Sequence, residues 1–342
     1  MKILITGGCG FVGSNLSIFL KRYLNNSKIF TIDNFIRPGS KIRYKRNKLY
    51  NIKNFKVDIS NYKSVMMLPK FDLIIDCCAE AAVADSIKKP KKVFDTNLVG
   101  TFNIISKCRT DKSDIIFLST SRVYSIDLLK KIDLKKIKFK KLRSLSIKEN
   151  YDVSGIKSLY GFTKLSSEDL IKEYNYSNNL KYIINRFGVI SGPWQFGYED
   201  QGFVSLWVAS HLLKKKLKYI GFGGSGHQMR DVIHIDDVCQ IILLQIKNLH
   251  KIYNVTFNVG GGLKNLISLK KLTNLCELIT KNKIKFTRIK KTSLFDIPIF
   301  LTNNSKIKKY YNWQPQKKID LIVKDIYNWM IEHEKVINKI FK

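Results

Sequence analysis

The glycine-rich turn near the start of the chain is the feature that most constrains the fold. A short apolar run begins at Lys2 and passes directly into Gly7-Gly8-Cys9-Gly10-Phe11-Val12-Gly13. An amphipathic segment follows, and a second apolar run then ends in Asp33. Strand, glycine turn, helix, strand and terminal acid in this order are typical of a βαβ unit that binds a dinucleotide.

Each part of this turn has a predicted role. We expect Gly7 to allow the tight turn, Gly10 to let the backbone approach a pyrophosphate, and Gly13 to let the helix pack on the strand. The helix that opens at Phe11 and Val12 would present free N–H groups and a partial positive charge to the phosphates.

The acid at the end of the second strand predicts which dinucleotide is bound. Asp33 lies twenty residues beyond Gly13, a distance at which an acid accepts hydrogen bonds from an adenosine ribose. Because its carboxylate repels a 2′-phosphate, it favours NAD over NADP. Arg37 follows closely and favours NADP instead, since an arginine can accommodate that phosphate.

Length and composition indicate a globular intracellular protein. At 342 residues, 44% of them apolar, the chain suits one large domain or two interlocked domains. No apolar run approaches the roughly 20 residues of a membrane helix, and the first strand leaves no room for a secretory signal. The six cysteines show no CxxC pair or metal-ligand spacing. We therefore expect reduced core thiols, no metal site, no membrane partner and a cytoplasmic location.

The net charge of +34 has two interpretations. A basic groove would indicate a protein that binds nucleic acid. However, the excess is mostly lysine spread along the whole chain, whereas arginine is expected where bidentate phosphate contacts matter. We therefore attribute the charge to lysine-rich solvated faces and expect no specific nucleic acid partner. Attraction of an anionic nucleotide substrate would be a by-product.

Short apolar runs alternate with helical patterns along the chain, which favours an α/β fold with a Rossmann-type, doubly wound parallel sheet. Further strands are predicted at 55–57, 71–76, 115–118 and 182–186, and helices at 90–108 and 159–176. We expect an NAD-binding domain at 1–186, completed by about 237–254 and the C-terminal helix. Residues 187–236 and 255–315 would form a smaller, interwoven substrate-binding domain. The lysine-rich stretch 125–150 is either a flap over the site or an insertion with a solvated face.

Three residues carry the predicted chemistry. Tyr160 and Lys164 are four apart in a helical pattern, so their side chains share one face. The ammonium, together with an oxidised nicotinamide, would favour the phenolate and lower the tyrosine pKa. Thr120, at the end of a strand, can orient a reacting sugar hydroxyl. The alternatives are a chance YxxxK spacing and a threonine that only caps its strand.

Several motifs together resemble the extended short-chain dehydrogenase/reductases, and more narrowly the NDP-sugar epimerase/dehydratase family, over nearly the whole chain. They are Thr6 to Gly13, Asp58-Ile59, Asn97, Ser119-Thr120, Tyr160 to Lys164 and Arg230 to His234. Other stretches are similar to the CDP-paratose 2-epimerase (CDP-tyvelose epimerase) branch: Ser119 to Tyr124, Gln195-Phe196-Gly197 with Asp200-Gln201-Gly202, and Gly223 to Gln228.

The resemblance implies three sets of site residues. The catalytic residues would be Tyr160, Lys164 and Thr120. NAD would be held by Gly7, Gly10, Phe11, Val12, Gly13, Asp33, Asn34, Arg37, Asp58, Ile59, Ala79, Asn97, Ser119, Tyr160 and Lys164. The nucleotide-sugar substrate would contact Glu80, Ser86, Thr120, Arg186, Gln195, Phe196, Gln201 and Arg230. Arg230 would clamp the diphosphate, or it would instead pair structurally with Asp231 or Asp236.

The expected activity is inversion at C2 of a CDP-linked 3,6-dideoxyhexose through a transient 2-keto sugar, by a homo-oligomer that needs no metal. The alternatives are a nucleotide-sugar 4-epimerase of the UDP-glucose type and a non-catalytic basic protein that binds nucleic acid. This chain departs from the family pattern at Glu80, where Gln is usual, at Ser125, where Gly is usual, and at Ser293, where Arg is usual. The 4,6-dehydratases would need an acid pair after the active-site threonine, but Ser121 and Arg122 follow Thr120 here.

Overall fold

The computed structural model describes residues 1–133, 139–199 and 201–341. The middle of the lysine-rich stretch and Asp200 of the matched motif lie outside the described residues. The chain divides into two compact units, the first formed by 1–123, 158–186 and 239–257, the second by 124–157, 187–238 and 258–342. This division differs from the predicted domains at 124–157 and at the C-terminal helix, which belong to the second unit.

A seven-stranded sheet forms the centre of the first unit, with the strand order β10-β6-β5-β4-β1-β2-β3. The strands are β1 Lys2–Thr6, β2 Lys28–Asp33, β3 Lys53–Lys56, β4 Leu73–Asp76, β5 Asp114–Thr120, β6 Tyr182–Phe187 and β10 Val255–Val259. β1 pairs in parallel with β2 and with β4, which pairs in parallel with β5. Because β1, β4 and β5 are covered on both faces, their central residues form continuous buried apolar runs rather than an alternating pattern. The predicted α/β fold class is confirmed.

The helices associated with this sheet alternate with its strands along the chain. They are α1 Phe11–Tyr23, α2 Ser40–Leu49, α3 Tyr62–Met66, α4 Val83–Lys88, α5 Pro90–Phe94, α6 Gly100–Asp111, α8 Leu159–Asn178 and α10 Ile235–Asn248. The strands end together at one edge, where the loops between strands and helices collect the candidate site residues.

The predicted helix at 90–108 is interrupted. Pro90 opens α5 at its first turn, and a π-helical turn, Asp95–Val99, separates α5 from α6. Gly100 then begins α6 in close contact with Ile59, since a Cβ at this glycine would lie 2.6 Å from the isoleucine side chain. A π-helical turn places one residue out of helical register, and here it contains Asn97.

The second unit contains smaller sheets and the remaining helices. β9 Met229–His234 pairs with β7 Val189–Ser191, β11 Leu266–Ser268 and β13 Ile299–Phe300, and β8 Leu217–Ile220 pairs with β12 Phe286–Ile289. The helices are α7 Asp127–Lys130, α9 Phe203–Leu212, α11 Leu269–Thr280, α12 Ser305–Tyr311, α13 Ile319–Glu332 and α14 Glu334–Ile340. Among the described residues of both units, no helix has the length and apolar character needed to cross a membrane.

Candidate active site

The glycine turn between β1 and α1 is as tight as predicted. Gly7 has a φ of 59°, and its carbonyl accepts the Gly10 N–H at 2.8 Å. A Cβ at Gly13 would lie 2.3 Å from that same carbonyl, so this glycine keeps the turn closed against the helix. Gly8, to which no role was assigned, allows the packing on β2, because a Cβ there would lie 2.2 Å from Thr31.

Two side chains of α2 support this turn, and neither was identified from the sequence. Arg43 donates its Nε to the Cys9 carbonyl at 2.8 Å, and Asn47 donates its amide to the Gly8 carbonyl at 2.9 Å. Both side chains are buried. No motif marks them, because they stand in a lysine-rich helix whose pattern indicates only a solvated surface.

Asp33 stands at the carboxyl end of β2, next to the turn. Its carboxylate accepts the N–H groups of Cys9 at 2.9 Å and Phe35 at 2.8 Å. Burial raises the pKa of Asp33, and these two hydrogen bonds act in the opposite direction. Nearby, Asn34 donates to Asp58 at 2.9 Å. Burial also acts to raise the pKa of Asp58, but hydrogen bonds from Asn34 and Ser60 outweigh it and the pKa is lowered.

Arg37 and Glu80, both predicted site residues, are ion-paired with each other. The second carboxylate oxygen of Glu80 lies 2.8 Å from the ammonium of Lys92. The glutamate that replaces the usual glutamine therefore has two cationic partners, and its side chain is only 8% exposed.

Asn97 connects this segment to the helix that carries the predicted catalytic residues. Its side-chain oxygen accepts the Glu80 N–H at 2.8 Å, and its amide donates to the Glu80 carbonyl at 3.2 Å. The amide also lies 3.3 Å from the Thr163 hydroxyl, and the Ser167 hydroxyl donates to the Asn97 carbonyl at 3.0 Å. Asn97, which was assigned to cofactor binding, therefore also determines the position of the chain after β4.

The predicted catalytic residues come together at the end of β5 and the start of α8. The Thr120 hydroxyl lies close enough to the Tyr160 phenol to act to lower its pKa. Ser158 caps α8 by accepting the Gly161 N–H, and Ser86 Oγ accepts the Tyr160 N–H at 3.1 Å. The cap and Ser86 together determine where the tyrosine enters the helix.

Burial dominates the electrostatics of these residues. It raises the pKa of Tyr160, and the Thr120 hydroxyl and the positive charge of Arg122 act in the opposite direction. Burial likewise lowers the pKa of Lys164, opposed by the charge of Asp76. The side chains of the protein therefore do not by themselves produce a phenolate. The expected lowering of the Tyr160 pKa therefore requires the positive charge of an oxidised nicotinamide.

The buried ammonium of Lys164 provides a test of whether a dinucleotide fits here. Lys164 is 1% exposed, and its Nζ lies 3.8 Å from the centroid of the Phe117 ring. Nζ has no hydrogen-bond partner among the described residues. A buried ammonium without acceptors is costly, and ribose hydroxyls would satisfy it. At the other end, α1 begins without a side-chain cap, so its first N–H groups can face a pyrophosphate. Both observations fit NAD.

Ser119 and Arg186, also predicted site residues, belong to a buried network around Glu168. Arg186 makes a bidentate ion pair with Glu168, with a closest distance of 2.7 Å, and Ser119 donates to the same carboxylate at 2.5 Å. Glu168 lies one helical turn after Lys164 on α8. It was not identified from the sequence, because a glutamate within a helix is typical of an exposed face.

The predicted substrate residues of the second unit have separate surroundings. Gln195 accepts the hydroxyls of Ser191 at 2.7 Å and Ser205 at 2.8 Å. Phe196 packs on Trp329, with ring centroids 5.9 Å apart, whereas Gln201 is exposed.

Arg230 lies in β9 and pairs with Asp296 at 2.6 Å. It also donates to the carbonyls of Met229 and Ile297, both at 2.7 Å. Its acidic partner is therefore neither Asp231 nor Asp236, the two that the sequence suggested. Asp231 is buried and accepts the Gly262 N–H and the Thr302 hydroxyl instead.

Comparison with known proteins identifies the family. A family model described as the NAD dependent epimerase/dehydratase family matches residues 3–260. A CDP-paratose 2-epimerase from Salmonella typhi is 29% identical over 96% of this chain and 99% of its own length. A UDP-glucuronate 4-epimerase from Thermodesulfobacterium geofontis is 27% identical over 98% of each chain.

Solved structures show the same fold. The UDP-glucose 4-epimerase of Thermotoga maritima, determined with UDP-glucose, has a TM-score of 0.81 at 23% identity, covering 98% of this chain and all of its own. The glycine turn, the uncapped start of α1 and the unpartnered Lys164 agree with the family match, which covers well over half of the sequence. The chain belongs to the NAD dependent epimerase/dehydratase family, and its cofactor is NAD.

Proposed function

We propose that the protein is a nucleotide-sugar epimerase that inverts C2 of a CDP-linked 3,6-dideoxyhexose, in the manner of CDP-paratose to CDP-tyvelose, through a transient 2-keto sugar. The observation that carries the epimerase chemistry is that the Thr120 hydroxyl acts on the buried Tyr160 phenol, with the unpartnered ammonium of Lys164 one helical turn further along α8. The choice of C2 and of a CDP-sugar is supported by the similarity to CDP-paratose 2-epimerase over nearly the whole chain.

Bound NAD supplies reversible oxidation of one sugar carbon. Tyr160 takes the proton of the C2 hydroxyl and later returns a proton to the same oxygen, after the flat keto sugar has presented its other face. Thr120 holds that oxygen in line with the phenol. Lys164 binds the ribose hydroxyls and keeps positive charge near the phenolate. Over the whole cycle there is no net oxidation.

Dehydration is disfavoured by the residues that follow Thr120. Removal of a C5 proton and departure of a C6 hydroxyl need an acid and a base at that point, but the chain has Ser121 and Arg122. Neither an alcohol nor a guanidinium, which stays protonated, replaces a carboxylate in that role. We therefore infer an epimerase and not a 4,6-dehydratase.

We further infer that the nucleotide sugar is bound by Ser86, Arg186, Gln195, Phe196, Gln201 and Arg230, with Glu80 near its sugar or the cofactor. Arg230 is suited to a diphosphate because a planar guanidinium can form two parallel hydrogen bonds. Its bond to Asp296 would orient it for that purpose. Ser293 stands where the family usually has a further arginine. We therefore expect this chain to bind the substrate phosphates more weakly than relatives that retain the arginine.

A second candidate is a 4-epimerase acting on a UDP- or CDP-sugar. It is supported by the relatives and structural neighbours that carry this name at similar identity. The same tyrosine, lysine and threonine would then act at C4.

The two activities are separated by supplying substrates directly. Purified protein is incubated with CDP-paratose, and inversion at C2 is followed by NMR, with UDP-glucose and UDP-glucuronate tested in parallel. Formation of CDP-tyvelose supports the C2 proposal. Turnover of a UDP-sugar at C4 without any change in CDP-paratose would reject it.

The family match and the NAD cofactor show an enzyme of this family, so the non-catalytic, nucleic-acid-binding alternative suggested by the high positive charge is not retained.

A further inference from the structure

Arg37, Glu80 and Lys92 form a charged cluster in the first unit, and Arg37 belongs to the segment that follows Asp33, the acid predicted to select the dinucleotide. Arg37 is four residues beyond Asp33. One carboxylate oxygen of Glu80 pairs with Arg37, and the other lies 2.8 Å from Lys92. A single buried carboxylate therefore holds two cations at once.

The main chain at Glu80 is held in place by a buried neighbour, which restricts where its carboxylate can lie. Asn97 makes two hydrogen bonds to the main chain of this residue, at 2.8 and 3.2 Å. Asn97 is itself buried in the π-helical turn. Arg37 and Lys92 are more exposed, at 36% and 39% of their side chains. The fixed member of the cluster is therefore the glutamate.

We propose that Glu80 determines which dinucleotide the protein accepts, because it withholds Arg37 and Lys92 from a 2′-phosphate next to Asp33. With both cations engaged, the Asp33 carboxylate repels that phosphate without compensation. Arg43, another cation near Asp33, is buried and donates to the Cys9 carbonyl. This role concerns dinucleotide choice alone and does not depend on which sugar is epimerised.

The test uses Glu80→Gln, which removes the charge at nearly constant shape. Wild-type and variant proteins are incubated with an excess of NAD and NADP at equal concentrations. The dinucleotide retained after gel filtration is then identified by mass spectrometry. We expect the retained ratio of NADP to NAD to rise on the order of tenfold, as charge-assisted hydrogen bonds from released cations would give. The matched control is Lys91→Gln, at the residue before Lys92. It breaks the exposed ion pair between Lys91 and Asp95 and should leave the ratio of NADP to NAD unchanged.

A triple variant tests whether the released cations are responsible. In Glu80→Gln with Arg37→Gln and Lys92→Gln, the gain should disappear, because neither released cation is present. The proposal is overturned if the single variant stays within about twofold of wild type, or if the triple variant keeps the full gain. The second result would mean that the charge of Glu80 repels the phosphate directly. Thermal melting of each variant establishes that the compared proteins are folded.

Discussion

At the scale of single residues, the central feature is a tyrosine whose surroundings oppose its ionisation. Tyr160 is 9% exposed, and burial raises its pKa despite the opposing effect of the Thr120 hydroxyl. A buried phenol of this kind remains protonated until a positive charge arrives. We therefore expect Tyr160 to transfer a proton only in the state in which NAD is bound.

Replacing Tyr160 with Phe should reduce turnover of the nucleotide sugar by several orders of magnitude, because the proton-transferring oxygen is lost. The NAD content of the purified variant, measured by mass spectrometry, should stay close to that of wild type. Tyr176→Phe is the control, since this residue lies on the same helix and is 90% exposed. Substantial activity in Tyr160→Phe would remove this residue from the mechanism.

Arg122 is the charged side chain that lowers the pKa of Tyr160. Arg122→Gln removes a cation that favours the phenolate, so the pKa of the tyrosine should rise. The pH–rate profile should therefore shift to higher pH. Arg109→Gln, on the exposed side of α6, serves as the control for the loss of one positive charge. A profile that moves to lower pH, or stays in place, would contradict this assignment.

At the scale of structural elements, α8 is joined to the sheet by a buried ion pair. Glu168 is fully buried, and its partner Arg186 in β6 is 6% exposed. Ser119 in β5 donates to the same carboxylate. The helix that carries Tyr160 and Lys164 is thus attached to two neighbouring strands by one network.

Glu168→Gln should lower the free energy of unfolding by about 3–5 kcal/mol, because it leaves the Arg186 guanidinium buried without a counter-charge. The neighbouring Asp169 pairs with Lys172 on the surface, with 64% of its side chain exposed. Asp169→Asn should therefore change the free energy of unfolding by less than about 1 kcal/mol. Urea denaturation of the two variants measures the difference. Equal changes in the free energy of unfolding would show that the buried ion pair contributes no more to stability than the exposed one.

At the scale of the whole molecule, the first unit leaves an apolar surface uncovered. Phe94, Leu98 and Phe102 on α5, the π-helical turn and α6 line a groove of about 630 Å³ with Leu170 of α8. Phe94 and Phe102 are each 40% exposed. Exposed aromatic side chains grouped in this way are typical of interaction sites, and a second copy of the chain is the partner expected for a homo-oligomer.

Phe102→Glu should therefore shift the protein toward its monomer mass of 39.7 kDa, because a carboxylate would be buried in the contact. Sedimentation equilibrium measures the mass of wild type and variant. Met67→Glu, at a side chain that is 86% exposed elsewhere, should leave the mass unchanged. A monomeric wild-type protein would refute the expected oligomer.

Local pattern was enough to predict much of this molecule. The glycine turn, the apolar strands and the YxxxK spacing each depend on residues that are near in sequence, and helix or strand geometry converts that spacing directly into position. The α/β fold and the helix that begins at Leu159 are therefore found where they were expected. Asp33 also follows this rule, since its partners Cys9 and Phe35 lie within one βαβ unit.

Only the tertiary structure decided which distant side chains meet. Arg37 and Glu80 are 43 residues apart, and Tyr160 reaches Ser86 across 74. Such contacts arise because parallel strands with helical crossovers end at the same edge of the sheet. Sequence spacing carries no information about which loops become neighbours there. The type of fold and the candidate reactive residues follow from local sequence pattern, whereas the partners that fix their charge and position follow from topology.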